Sequence, residues 1–333
     1  MERNRFIFYT SIFLIICAIP IVHAKNNKES IDLIYMKEIE KFSIYMEKKH
    51  KLDKEFIKNV LSSAKYKHKI IKLIRSPAEK KTFRKYMNIF LTEKRIKKGI
   101  DFHKKHMKAL KAVEEKYKIP SEIIVSIIGV ETFYGERVGN FRAIDSLSTL
   151  AFTYKRRSSF FRSELEKFFL LIRREDFSYN EIYGSYAGAL GVPQFMPSSY
   201  LRYARDHDLD GKIDLWKSYP DIFASVANYL KEHGWEYNNK PLLKVKLNST
   251  YVKKMFLKYG NSNYIKLDKN IIKKHIKSRI EDNSSALYLV LLDKNKSKYY
   301  IGSKNFYVIT RYNRSTLYAT AIIKLSQKIK EGL

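Results

Sequence analysis

The chain has 333 residues, with 65 Lys and Arg against 34 Asp and Glu, and a formal net charge of +31. At 45% hydrophobic and 14% aromatic residues it has the material for packed cores, which excludes a wholly disordered chain. The single cysteine, Cys17, excludes disulfides, cysteine zinc sites and thiol catalysis for the chain beyond its first segment.

The first residues read as a targeting segment. Arg3 and Arg5 precede an uncharged run from Phe6 to Ile21, and Val22-His23-Ala24 offers the small residues that a signal peptidase inspects. The run is short for a spanning helix, so residues 1–24 are read as a cleaved signal peptide and not an anchor. Ile16 before Cys17 argues against lipidation. Periplasmic export follows as the expected localisation. A charge of this size concentrates polyanions at the surface. Nucleic acid is their usual identity, but an exported chain meets acidic wall polymer instead. Enrichment in Lys, Ile, Asn and Tyr from an AT-rich genome is a second source of the same charge.

Residues 25–80 are lysine-rich and helical in pattern. From Ile100 to Lys118 the spacing of Phe102, His106, Leu110, Val113 and Tyr117 predicts one amphipathic helix. Pro120-Ser121 breaks it and is expected to cap the next helix. That helix carries Ile123 to Ile128, a run apolar almost all round and therefore buried. Ser163–Arg174 and Asp221–His233, the latter ended by Gly234, are further amphipathic helices. Beyond Pro241 the period changes to two at Leu243–Leu247. Ala286–Leu292 and Tyr299–Tyr300 flank a polar turn, and Tyr307–Tyr312 reads as a strand. A helix from Ser315 to about Ile329 closes the chain. The class is α+β, a mainly helical body with a small antiparallel β domain inserted late. The expected division is 25–80, a core over 81–240, a β-rich part over 241–305, and a return to the core over 306–333.

Three segments carry chemistry. Glu131 ends the buried apolar helix in Gly129-Val130-Glu131-Thr132-Phe133-Tyr134-Gly135. A carboxyl in apolar surroundings is suited to general acid work, although a salt-bridged helix-end glutamate fits the same segment. The run from Gly184 to Tyr200 is rich in small residues that let backbone approach a ligand. Within it Ser185, Gln194 and Tyr200 suit sugar hydroxyls, and Phe195 and Met196 offer apolar faces to a pyranose. Third, Asp206, Asp208 and Asp210 stand at positions 1, 3 and 5 of an EF-hand-like loop. Gly211 is at 6, and Lys212 supplies a backbone carbonyl at 7. Lys217 stands where the bidentate glutamate is usual, so a solvated acidic turn is the alternative.

The first two segments, with Ser225-Val226-Ala227-Asn228-Tyr229-Leu230 before His233-Gly234-Trp235 and with Asn305 to Thr316, occur in an order that resembles the B-type membrane-bound lytic murein transglycosylases, glycoside hydrolase family 103. The resemblance covers roughly residues 80–330. It implies a lysozyme-like core and cleavage of the MurNAc-β-1,4-GlcNAc bond with 1,6-anhydromuramic acid ends, Glu131 being the single acid/base. It also implies substrate contacts at Tyr86, Arg156, Arg157, Ser185, Gln194, Tyr229, Tyr312, Asn313 and Tyr318. Asp221 is expected to close the loop around structural Ca2+, which the chemistry does not need. Val192-Pro193 departs from relatives that carry an aromatic residue and glycine there. The expected partners are peptidoglycan glycan strands, with cell-wall synthesis or division proteins as candidates, no nucleic acid, and a monomeric chain. Two other readings stay open: a silent wall-binding protein, and a hydrolytic muramidase with Asp145 or Asp176, surface or helix-cap positions, as the partner carboxylate.

Overall fold

The computed structural model describes residues 19–75, 82–243, 250, 254–255, 264–268, 284–293 and 298–333. The chain divides into two compact units, Met1–Ser63 and Ala64–Leu333. In the first, α1 (Ile19–His50) and α2 (Lys54–Ser62) form a hairpin. Tyr35, Phe42 and Met46 bury on the α1 side, and Ile57, Val60 and Leu61 on the α2 side. Asp53 caps α2 by accepting the Phe56 amide, and Lys54 and Lys58 both reach Glu40. The expected signal segment lies largely outside the described residues.

The second unit is built around α7 (Ser121–Thr132), whose apolar run is buried on every side. Packed about it are α5 (Glu93–Lys105), α6 (Met107–Tyr117), α11 (Tyr219–Glu232) and α13 (Thr316–Glu331). A flanking pair, α8 (Ala143–Thr153) and α9 (Ser158–Glu175), holds α3 (His68–Ile74) and α10 (Pro197–Tyr203). α4 (Phe83–Phe90) lies on α13, and α12 (Lys304–Tyr312) precedes it. A short ribbon pairs β1 (Phe141–Arg142) with β2 (Tyr183–Gly184). Between α11 and α12 comes a four-stranded antiparallel sheet, ordered β3 (Leu242–Leu243), β6 (Lys298–Gly302), β5 (Tyr288–Asp293), β4 (Tyr264–Lys266). The α+β class with its late sheet is therefore as expected. Among the described residues no helix is long and apolar enough to cross a membrane.

Three local expectations are corrected. The single helix over Ile100–Lys118 is two helices, because the chain leaves helical geometry at His106 (φ −106, ψ 16). The apolar spacing runs unbroken across the joint, yet α5 packs on α7 and α13 while α6 packs on α11. Ser121 does not cap α7. Its hydroxyl meets His103 Nε2 at 3.0 Å, and its amide donates to Glu114. Tyr307–Tyr312 is helical and not a strand: Ser303 accepts the Asn305 amide to start α12, and burial of Asn305, Phe306 and Ile309 on one face overrides the β-branched composition. Residues 244–249, where strand alternation was expected, lie outside the described residues.

Candidate active site

Glu131 is carried to the rim of the core by the last turn of α7 and is half-exposed there. The helix stops abruptly behind it. Phe133, Tyr134 and Gly135 all take positive φ (53, 63 and 90), which the first two adopt against their ordinary steric preference. Bonds from several directions hold this turn. Thr132 Oγ1 donates to Val192 O at 3.0 Å and accepts the Gly135 amide, and the Arg137 amide donates to Thr132 O. Tyr134 Oη donates to Arg95 O at 2.8 Å.

Arg95 supports the same turn from below. It is 7% exposed, its Nε donates to Gly129 O at 3.2 Å, and Nη1 donates to Ile89 O. Its guanidinium lies between the Phe90 and Phe133 rings, 5.2 and 4.9 Å from their centroids. A cation against the carbonyl end of a helix is favourable, though burial pulls its pKa below the usual arginine range.

Tyr318, from α13 and itself buried, donates its hydroxyl to Glu131 Oε1 at 2.7 Å. Tyr312, the last residue of α12, lies parallel to Tyr318 at 6.4 Å and donates to Pro193 O at 2.5 Å. Burial first, and the Glu131 charge second, push both phenols well above the ordinary tyrosine value, so both remain donors. Tyr86 on α4 is buried against Phe90 and Ala321, close enough to Tyr318 to raise its pKa further.

The Gly184–Tyr200 segment forms the other wall. Leu190 and Phe195 exchange backbone hydrogen bonds of 2.7 and 3.0 Å, closing a turn over Gly191-Val192-Pro193-Gln194. Pro193 needs no donor in this turn, and its carbonyl receives Tyr312. Gln194 Nε2 donates to Val138 O and Gly191 O, both at 2.9 Å, so both of its N–H donors are used within the turn. Ser185 Oγ accepts the Ala187 and Ala189 amides. The glycines fit because nothing larger does: a Cβ on Gly139 would sit 2.2 Å from Gly184 O, and one on Gly184 would sit 2.1 Å from Ala189 O. Glu164 on α9 receives the amide and hydroxyl of Ser198 and so fixes the start of α10 just past Met196, which is half-buried.

Four expected sugar contacts are buried instead: Tyr86, Tyr200, whose hydroxyl donates to Ile213 O at 2.5 Å, Phe195 and Tyr229. Phe195 is 2% exposed and packs on Tyr229 and Tyr312, so it offers no face to a pyranose. Tyr229 is buried, stacks on His233 at 4.2 Å, and uses its hydroxyl to bond Arg311 O. Both position Tyr312. Asn313 is half-exposed at the α12–α13 junction. Arg156 and Arg157 are exposed in a 3₁₀ turn, with Arg157 over Phe160, and no described contact ties them to Glu131. Asp145 is not at the surface. It is buried in the first turn of α8 and accepts the Lys65 amide at 2.9 Å, while Asp176 terminates α9 with a positive φ. Arg95 and Thr132 were missed by sequence reasoning, because nothing separates a buried arginine from its lysine-rich helix until the fold is known.

Asp206, Asp208 and Asp210 place carboxylate oxygens within 4.8 Å of one another, a set of hard oxygen donors that fits Ca2+. Asp221 is not among them. It is 1% exposed, and its two oxygens accept the His207 and Asp214 amides at 2.7 and 2.9 Å, so it braces the loop from inside. Lys212 donates its amide to Asp210.

The arrangement can be compared with known proteins. The family model described as "Transglycosylase SLT domain" matches residues 35–327. The chain is 35% identical over 296 residues to membrane-bound lytic murein transglycosylase B of Escherichia coli (strain K12), covering 85% of this chain and 80% of that protein. Among solved structures it is similar to the soluble lytic transglycosylase SltB1 from Pseudomonas aeruginosa, with 36% identity, TM-score 0.80, and 88% and 98% of the two chains covered. It is also similar to the Escherichia coli lytic transglycosylase Slt35 in complex with calcium, with 34% identity, TM-score 0.76, and 88% and 92% covered.

Proposed function

We propose, on the premise that this chain belongs to the SLT transglycosylase family and is a lytic murein transglycosylase, that Glu131 performs both proton transfers of a reaction ending in 1,6-anhydromuramic acid. The observation that carries this reading is the Glu131–Tyr318 bond of 2.7 Å at the turn that ends the catalytic helix. A hydrolase of this type ordinarily needs a second carboxylate, as base or nucleophile. Asp145 is buried and holds the Lys65 amide, and Asp176 is exposed at the end of α9.

Protonated Glu131 gives its proton to the glycosidic oxygen as the C1–O4 bond breaks, and GlcNAc leaves as the alcohol. Positive charge develops on the muramyl C1 and ring oxygen. Glu131, now a carboxylate, takes the proton of the C6 hydroxyl while O6 bonds to C1. No water is consumed, and the acid is regenerated. Tyr318, kept protonated by burial and held beside Tyr312, fixes the carboxyl and denies it rotational freedom. The Gln194 amide oxygen and the Ser185 hydroxyl are suited to substrate hydroxyl and acetamido groups, and Arg156 and Arg157 to stem-peptide carboxylates.

Three further assignments belong to the same reading. The basic chain is exported to the periplasm, where the acidic wall polymer is its partner. The carboxylates of Asp206, Asp208 and Asp210 hold calcium as a brace away from the chemistry, a reading supported by the relative solved in complex with calcium. Asp221 organises the loop that carries them. The test is digestion of purified peptidoglycan with mass analysis of the new ends. Anhydromuramyl ends support the reading; reducing ends make the protein a hydrolytic muramidase, and no cleavage makes it a binding protein. Glu131→Gln should abolish the products while peptidoglycan binding persists.

A further inference from the structure

A cavity of about 460 Å³ opens on the face of α5 and includes Tyr134 but not Glu131 in its lining. Its rim carries Lys94, Lys97, Lys98 and Lys105, with Asp101 as the one carboxylate of the lining. Lys98 is paired with Glu136, whereas Lys94, Lys97 and Lys105 form no ion pair among the described residues. The floor is aromatic. Phe102 meets Tyr134 at 5.4 Å and Tyr219 at 5.3 Å, and His106 lies against Tyr219 at 4.2 Å.

A solvated basic helix face is the ordinary explanation for lysines spaced three and four apart. Here the same lysines surround a concavity of small-ligand size with an apolar base. With Glu136 neutralising Lys98, three lysines around Asp101 still leave an excess of positive charge, and an anion of more than one charge offsets it. Lysine binds phosphate as a point charge, with three rotatable donors in place of a fixed fork, and the lining holds lysines and no arginine. The His106 ring, pushed below the ordinary histidine value by burial and by Lys105, adds a neutral hydrogen-bonding edge at neutral pH.

We propose that this cavity binds a phosphate monoester or diphosphate, its phosphoryl oxygens on Lys94, Lys97 and Lys105 and its organic body over the Phe102–Tyr219 floor. Tyr134 belongs both to this floor and to the turn immediately after Glu131, so the ligand sits behind the catalytic helix and not in the cleft.

Inorganic diphosphate, titrated into the full chain at physiological salt, is the first probe, with calorimetry for stoichiometry and the His106 ring resonance as local reporter. One equivalent should bind and move that resonance. Lys97→Ala/Lys105→Ala should weaken binding by at least about tenfold. Lys108→Ala/Lys111→Ala removes the same charge from the exposed side of α6 and should leave the affinity nearly unchanged. Equal losses in the two variants, or binding without a saturable His106 response, overturn the site in favour of diffuse attraction to a basic protein. Vesicles of phosphatidylcholine with and without phosphatidate then separate the sources. Retention on phosphatidate that diphosphate reverses assigns a lipid headgroup, and no retention beside a positive titration assigns a soluble phosphate ester.

Discussion

Tyr318 Oη donates to Glu131 Oε1 across 2.7 Å, although 187 positions separate the two in sequence. The phenol is buried and its pKa is raised well above the ordinary value, so it is a donor at every physiological pH. Its ring is parallel to Tyr312, whose hydroxyl is fastened to Pro193 O. The acid is therefore oriented by two helices that arrive from the far end of the chain.

Tyr318→Phe removes that donor and keeps the ring. The folded protein should persist, with kcat on peptidoglycan fragments reduced by about tenfold, the scale of one charge-assisted hydrogen bond partly replaced by solvent. KM should change little, because the lost contact is to Glu131 and not to sugar. Steady-state kinetics on a soluble fragment checks this. A large rise in KM at unchanged kcat would make Tyr318 a sugar contact instead.

Arg95→Met should destabilise the protein by about 2–4 kcal/mol, since it strips the Gly129 and Ile89 carbonyls of a buried donor. Arg95→Lys should recover only part of this, because an ammonium cannot replicate the fork between the Phe90 and Phe133 rings. Urea unfolding curves for the three proteins measure it. Equal stability of all three would reduce Arg95 to a bystander.

The two aspartate roles in the acidic loop separate in a melting experiment. Asp208→Ala should remove most of any calcium-dependent rise in Tm while leaving the chelator-treated protein near wild type, because calcium stabilises only the fold that binds it. Asp221→Ala should lower Tm with and without calcium, since it strands the His207 and Asp214 amides. Identical wild-type melts in calcium and chelator would leave the loop an acidic turn.

Burial raises the hydroxyl pKa values of Tyr134, Tyr200, Tyr229, Tyr312 and Tyr318 above the unfolded value of about 10. The sign follows from linkage. Above that pH the unfolded chain releases protons that the folded chain keeps, so the stability present below about pH 10 is lost as pH rises toward the folded values. Each tyrosine contributes a slope of up to about 1.4 kcal/mol per pH unit. Melting between about pH 8 and about pH 11 should show a steep fall beginning near the unfolded value. A flat Tm across that range would mean the hydroxyls ionise in the folded state.

Much of this was legible in sequence because the signals are local. The apolar run of α7 declares burial by itself, and the order of motifs around Glu131, Ser185, Gln194 and Tyr318 points to one chemistry. What could not be read depends on packing. The break at His106 is silent, since both helices keep the same apolar spacing. Tyr307–Tyr312 has strand-like composition, and only the Ser303 cap and one buried face make it helical. Phe195 and Tyr229 belong to the right motifs, yet the fold places them behind Tyr312, because a motif marks neighbourhood and not exposure.

The pairing of Glu131 with Tyr318 also sets an order of events during synthesis. The ribosome delivers the acid long before it delivers α12 and α13, which supply Tyr312 and Tyr318. A chain that still lacks that segment carries a carboxyl with no tyrosine to aim it. An aimed acid thus arrives only with the late segment, after the polypeptide around it has already been made.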